Sequence, residues 1–284
     1  MNTFFNLIFV IAAVEIIAGC AGMYPKVNGE VKQIAAGFKF TEGPAVAPNA
    51  DIYFTDIPNN KIHIWSAKGN LSVFRENSGG ANGLLFDSHG NLIVCEGGNR
   101  RLTSINPKKS VTVLADKFNG KKFNSPNDLW IDPKGGVYFT DPRYGRRDNL
   151  EQNGENVYYL PPKGGKTKRV ISDMVRPNGI IGTSDGKKLY VADHGDKKIF
   201  SYYINNDGSL SNKKLFVGKG SDGMALDSEG NLYLTTDAVL IYNPKGKFLR
   251  RIEIPEVPAN VCFGKDGKTL FITARTSLYA IRLN

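Results

Sequence analysis

The sequence predicts an all-β protein folded as a six-bladed β-propeller, its ring closed by an N-terminal strand added to the last blade. Three observations carry that prediction. A unit recurs six times, a small polar residue usually followed by Gly and then by an apolar strand, a turn and a second apolar strand. It reads Glu42-Gly43-Pro44, Asn82-Gly83, Asn127-Asp128, Asn178-Gly179, Asp222-Gly223 and Asn260-Val261. Successive starts lie 40, 45, 51, 44 and 38 residues apart, a period suited to blades of short strands. One further strand, Val31 to Ala35, precedes the first unit and has no unit of its own.

Within each unit the first two strands are explicit. The second copy reads Gly83-Leu84-Leu85-Phe86-Asp87, the turn Ser88-His89-Gly90-Asn91, then Leu92-Ile93-Val94-Cys95, and the fifth repeats it nearly letter for letter from Met224 to Thr235. Third strands are expected at Lys61 to Trp65, Arg101 to Ile105, Asn156 to Leu160, Lys198 to Ile204, Val239 to Tyr242 and Ser277 to Leu283. Outer fourth strands are expected at Leu71 to Arg75, Val111 to Ala115, Lys168 to Ser172, Lys214 to Val217 and Phe248 to Ile254. The sixth copy runs out of chain, so Val31 to Ala35 is expected to supply its outer strand and remove an exposed edge. The longest interval holds a polar insertion, Pro142 to Glu155, expected at the same end of the ring as the residues that begin each unit, either as a surface loop or as a cover over a central site.

Composition fits one folded domain over 23–284: 41% apolar and 23% charged residues, with 31 Gly and 14 Pro gathered mainly in turns. The net charge of +10 comes from scattered pairs such as Lys108-Lys109, Lys121-Lys122 and Arg250-Arg251, a pattern of solvated turns that argues against a nucleic-acid groove. Residues 1–22 stand apart. A short apolar core from Leu7 to Val14 and Ile17-Ala18-Gly19-Cys20 are similar to a bacterial lipoprotein signal, so Cys20 is expected to be the lipidated first residue of an exported, periplasmic protein that meets a membrane only through that anchor. The run is too short and too charged to span a bilayer. Of the three cysteines, Cys95 and Cys262 fall in non-adjacent units and are expected as free apolar thiols.

If the six unit-leading residues converge on one axis, Glu42 and Asp222 bring carboxylates, and Asn127 and Asn178 bring amide carbonyls. These hard oxygen donors suit Ca2+ best. Zn2+ is disfavoured because the set holds no His or Cys, and Mg2+ usually keeps more water.

The same residues carry a family resemblance. Glu42-Gly43-Pro44, Asn124-Ser125-Pro126-Asn127-Asp128 with Tyr138-Phe139-Thr140-Asp141-Pro142 and Tyr144-Gly145, Arg176-Pro177-Asn178-Gly179 and Ser221-Asp222-Gly223-Met224 together resemble the senescence-marker-protein/gluconolactonase family, which is also named with luciferin-regenerating enzyme. The Ser-Pro-Asn-Asp form is similar to the bacterial gluconolactonase branch, and Ser125 stands where the animal branch has Arg. The resemblance implies a divalent metal, commonly calcium, held by Glu42, Asn178 and Asp222, with Asn127 as a further ligand or a substrate contact.

The activity it implies is hydrolysis of a sugar lactone, with Asp222 as the candidate acceptor of the water's proton. Glu96, Arg143, Tyr144, His194 and Arg275 occupy connections expected at the rim and form the candidate substrate set. His63 and His89 do not fit such a role, and Trp65 and Trp130 read as core. No Ser-His-Asp order, nucleophile elbow or phosphate loop is visible. Two alternatives stay open: a related propeller hydrolase for other lactones or phosphoester-type substrates, and a calcium-stabilised propeller that only binds.

Overall fold

The computed structural model describes residues 29–283. Six four-stranded antiparallel sheets make up the ring. They begin at Thr41, Ala81, Leu129, Pro177, Met224 and Pro258, and each runs from an inner first strand to an outer fourth. The ring closes as expected. Lys32–Ala36 pairs antiparallel with Ser277–Arg282, with Lys32 opposite Ala280 and Ala36 opposite Ser277, so the last blade takes its fourth strand from the beginning of the chain. No helix occurs among the described residues.

The repeat builds a ring because each blade's middle strands are covered on both faces by neighbouring blades. Leu92–Glu96, Val137–Asp141 and Asn156–Leu160 are buried at every position, whereas the outer Leu71–Glu76 is half exposed or more throughout. Large side chains fill the seams. Between blades 3 and 4, Trp130 stacks on Tyr138 at 5.9 Å between ring centres, and Tyr159, Leu189 and Tyr202 complete the cluster. Trp65 is only half-buried. His63 lies in an aromatic cage against Phe38 and Phe54, where burial lowers its pKa from 6.5. Both cysteines are free. Cys95 is buried as expected, but Cys262 is half-buried where the inner strand of blade 6 lines the central channel.

Two elements differ from the sequence expectation. The fourth strand of blade 4 is Leu210–Val217, longer than expected, because register shifts against Lys198–Ile204 let the polar stretch through Asn212 continue the ladder. A small extra hairpin, Lys117–Phe118 with Lys121–Lys122, precedes blade 3.

What places the site is a defect repeated in the inner strands. The pairing with the second strand slips by one residue beside Asn260 in blade 6 and, in blades 1, 2 and 4, immediately around Glu42, Asn82 and Asn178. A bulge of this kind re-aims a side chain out of the alternating pattern. The Gly that follows Glu42, Asn82 and Asn178 lets neighbouring blades meet backbone to backbone. A Cβ on Gly43 would lie 2.1 Å from the Asn82 carbonyl oxygen, one on Gly83 2.6 Å from that of Asn127, and one on Gly179 2.5 Å from that of Asp222.

Candidate active site at the end of the channel

Five of the six unit-leading residues gather at the mouth of the channel, while Asn260 lines the channel beyond them. Glu42, Asn82, Asn127, Asn178 and Asp222 line one cavity of about 460 Å³ together with Phe40, Ile57, Gly80, Gly97, Gly98, Ser125 and Tyr144. The opposite end of the channel has a different lining, dominated by Leu84, Leu129, Ile180, Met224, Val261 and Phe263. Asp128 and Asn260 also line that stretch, so what sets the mouth apart is the set Glu42, Asn127, Asn178 and Asp222.

Its carboxyl groups are crowded and dry. Burial raises Glu42 well above the ordinary carboxylate value, and the nearby Asp222 raises it further, against the Gly43 N–H that donates to Oε2 at 2.9 Å. Burial also raises Asp222, partly offset by the charges of His194 and Arg275 and by the Asn178 amide, whose Nδ2 donates to Oδ1 at 2.5 Å. That same Nδ2 donates to the Tyr144 hydroxyl at 2.6 Å. The amide nitrogen of Asn178 is thus engaged, leaving its carbonyl oxygen as the side chain's electron-pair donor.

Two buried carboxyl groups whose charged forms are disfavoured could be balanced by a cation, and the two amide oxygens beside them are hard donors of the same kind. Among the described residues no three of His, Cys, Asp and Glu cluster as a metal site would need, so the set depends on its amides. That suits an alkaline-earth ion and not zinc.

The sequence reading passed over Asp128. Burial pushes it up to about 7, with Asp222 a lesser cause, while the Leu129 and Ile180 N–H groups and the Asn260 side chain donate to it. The Asn260 side chain lies near both Asp128 and Glu42 and helps to hold down their pKa values. The available signal was the departure from the repeat, since Asp128 and Val261 alone replace the Gly that follows the other axial residues.

The rim set divides. Tyr144 lines the cavity. The His194 ring lies 6.0 Å from that of Tyr144, and the Arg275 guanidinium stacks 5.8 Å over Phe40, so both flank the mouth. Glu96 does not reach it. It is fully buried, with its carboxylate bound by Arg75 at 2.9 Å, Arg101 at 2.7 Å, Asn99 and Thr103, and its pKa is lowered. Arg143 is likewise turned away from the cavity, donating to the Asn124 carbonyl at 2.8 Å and to the Arg146 carbonyl at 2.6 Å.

Arg143 belongs to the fastening of the insertion. Glu155 takes the Arg143 N–H at 3.0 Å and pairs with Arg147 and Arg176, while Gln152 donates to the carbonyls of Phe118, Lys121 and Lys122. Arg176 in turn stacks 5.1 Å over the Tyr144 ring. Of the insertion, only Tyr144 lines the cavity, so these bonds hold the segment that presents Tyr144 to the site.

A six-bladed ring with oxygen donors at one end of its axis and apolar side chains at the other defines a class of propellers with a single axial site. Within that class the chain belongs to the SMP-30/gluconolactonase/LRE-like family, whose profile matches residues 40–276. A gluconolactonase of Zymomonas mobilis is 31% identical over 90% of this chain and 82% of its own length. The solved structure of a gluconolactonase from Xanthomonas campestris superposes with a TM-score of 0.85 at 26% identity, covering 92% of this chain and 95% of that one. Regucalcin of Agrobacterium tumefaciens, described as a calcium-binding protein, shares the fold at a TM-score of 0.74 and 19% identity, covering 92% and 94% of the two chains.

Proposed function

We propose that this protein is a calcium-dependent hydrolase that opens sugar lactones. The observation that carries the reading is the pair of buried carboxyl groups, Glu42 and Asp222, set against the Asn127 and Asn178 amides at the floor of the 460 Å³ cavity. Family membership and the gluconolactonase relatives support lactone hydrolysis as the reaction. Glu42, Asn178 and Asp222 would hold the ion, with Asn127 as a fourth donor or a contact to substrate. A bound calcium ion supplies Lewis-acid polarisation of a carbonyl and acidifies water.

The protein's own groups do the rest. Asp222 accepts a proton from the attacking water as its oxygen bonds to the lactone carbonyl carbon. Collapse of that adduct breaks the ring C–O bond, and the proton held by Asp222 passes to the departing ring oxygen, which becomes the hydroxyl of a hydroxy acid. Tyr144, held by Asn178, and Asn127 orient the substrate. Phe40 and Ile57 keep bulk water from the far wall.

The test is direct. Purified protein should release acid from glucono-1,5-lactone, lose that activity on chelation and regain it with calcium. Activity that survives complete chelation sinks the mechanism. Calcium binding without turnover of any lactone would favour the propeller that only binds.

One observation favours a second reading within lactonases. Part of the cavity wall is built from Phe40, Ile57, Gly80, Gly97 and Gly98, and the Ser125 hydroxyl is already committed to the Gly97 carbonyl at 3.2 Å. Such a wall suits a lactone with an apolar substituent, and faster turnover of an alkyl-substituted lactone than of the gluconate lactone would establish that preference.

Export and lipidation at Cys20 remain part of the proposal, although Cys20 lies outside the described residues. Incorporation of a labelled fatty acid should occur in cells and disappear in Cys20→Ala. Label retained in that variant would refute lipidation at this residue.

A further inference from the structure

The residue that ends the second strand of a blade takes one of two forms, and the difference follows the site. In blade 1, Asp56 accepts the N–H groups of Lys39 at 3.1 Å and Phe40 at 3.2 Å. In blade 3, Asp141 accepts those of Asn124 at 2.8 Å and Ser125 at 2.7 Å. In blade 4, Asp193 accepts those of Val175 and Arg176, both at 2.9 Å. Each pair of amides lies three and two residues ahead of Glu42, Asn127 and Asn178 respectively. Three carboxyl groups, each no more than 2% exposed, thus grip the approach to three of the four proposed donors by the same two atoms of backbone.

The other blades lack the grip. Blade 2 has an acid at the same register, with Glu96 opposite Ala81 as Asp56 is opposite Thr41, but its bonds go to Arg75, Asn99, Arg101 and Thr103. Blade 6 has Ala274 and blade 5 Thr236. Their axial residues are Asn82, Asn260 and Asp222. The first two are outside the donor set, and the third is held by the Asn178 amide instead. A device needed merely to build blades would serve all six. In blades 3 and 4 the remaining freedom is removed by Pro126 and Pro177, which fix φ directly ahead of the donor.

We propose that Asp56, Asp141 and Asp193 are positioning residues that fix the axial donors for cation binding. They act through the two backbone amides that lead into Glu42, Asn127 and Asn178. The inference rests on the reading of that set as a cation site. Replacing a clamp by Asn keeps its size but turns one acceptor into a donor facing an N–H, so the entry segment shifts while the blade remains. Groups that orient metal ligands typically influence affinity by about 10-fold or more.

The experiment is calorimetric titration of chelator-stripped protein with calcium, alongside thermal unfolding without calcium and amide exchange. Asp193→Asn should bind calcium about 10-fold more weakly and exchange the Val175 and Arg176 amides faster. Asp56→Asn and Asp141→Asn should do the same at their own amides. Glu96→Gln, at the same register but without the grip, should lower stability and leave affinity unchanged. The proposal is overturned by clamp variants that bind like the parent, by Glu96→Gln weakening binding as much as they do, or by all three failing to fold, which would make the clamps general supports. A parent that binds no calcium would instead overturn the functional reading on which the proposal depends.

Discussion

Asp222→Asn is expected to lower kcat for lactone opening by about 10³-fold, within the range associated with losing a group that moves a proton in the transition state, while the protein still folds. The substitution keeps the shape of the side chain and its place beside Asn178, but removes the charge and the proton acceptor. Folding should survive because this carboxyl group is a liability to the cation-free protein. Burial holds both Asp222 and Glu42 above their ordinary values of 3.8 and 4.5, so the folded state retains protons that the unfolded chain has released. The sign is then set: without a cation, stability falls as pH rises from about 4 through the raised values. Asp222→Asn should flatten that fall and unfold at a temperature equal to or above the parent's near neutrality. Near-normal turnover would remove Asp222 from the catalytic role, and collapse of the fold would show that it supports the structure instead.

Gly43→Ala is expected to damage both the fold and the site. Gly43 has φ of 46°, a region costing an L-residue about 1–2 kcal/mol. The new Cβ would sit 2.1 Å from the Asn82 carbonyl oxygen, which belongs to the neighbouring blade and cannot swing aside as a side-chain tip would. Overpacking of this kind adds about 1–3 kcal/mol, so a combined loss of about 3 kcal/mol is the expectation. Urea unfolding measures it. Turnover should fall as well, because Gly43 donates its N–H to Glu42 and any separation of blades 1 and 2 moves that carboxyl group. A loss under about 0.5 kcal/mol, the scale of an ordinary surface change, would contradict the close approach.

Much of this was legible in sequence because the repeat encodes local chemistry. Strand, turn and axial residue lie within one unit, so Glu42, Asn127, Asn178 and Asp222 could be aligned without knowing how the units meet. Glu96 shows where that reasoning ends. Its place in the unit matches those of Asp56, Asp141 and Asp193, and only the arrival of Arg75 and Arg101 decides that its carboxylate is spent in an ion pair. Arg143 points away from the cavity for a similar reason, since its partners are backbone carbonyls created by the folded insertion. Asp128 was hidden by its neighbour: the repeat assigned the axial place to Asn127, and the role of Asp128 appears only when the ring buries it between blades 3 and 4. The length of the outer strand in blade 4 was obscured because slips in register let polar residues continue a ladder.

The strand that closes the ring also imposes an order in time. Gln33 bonds Ser277 across 244 residues of chain, so the seam is among the last contacts a growing polypeptide can make. Until Ser277–Arg282 has emerged, Lys32–Ala36 has no partner and the final sheet does not exist. Glu42 lies only a few residues beyond this strand, and the Thr41 N–H donates to the Arg275 carbonyl. The first donor of the site is therefore seated by the last blade. Catalytic competence should appear only with completion of the whole circle, and a chain interrupted late in synthesis would leave a nearly finished ring with an unfinished centre.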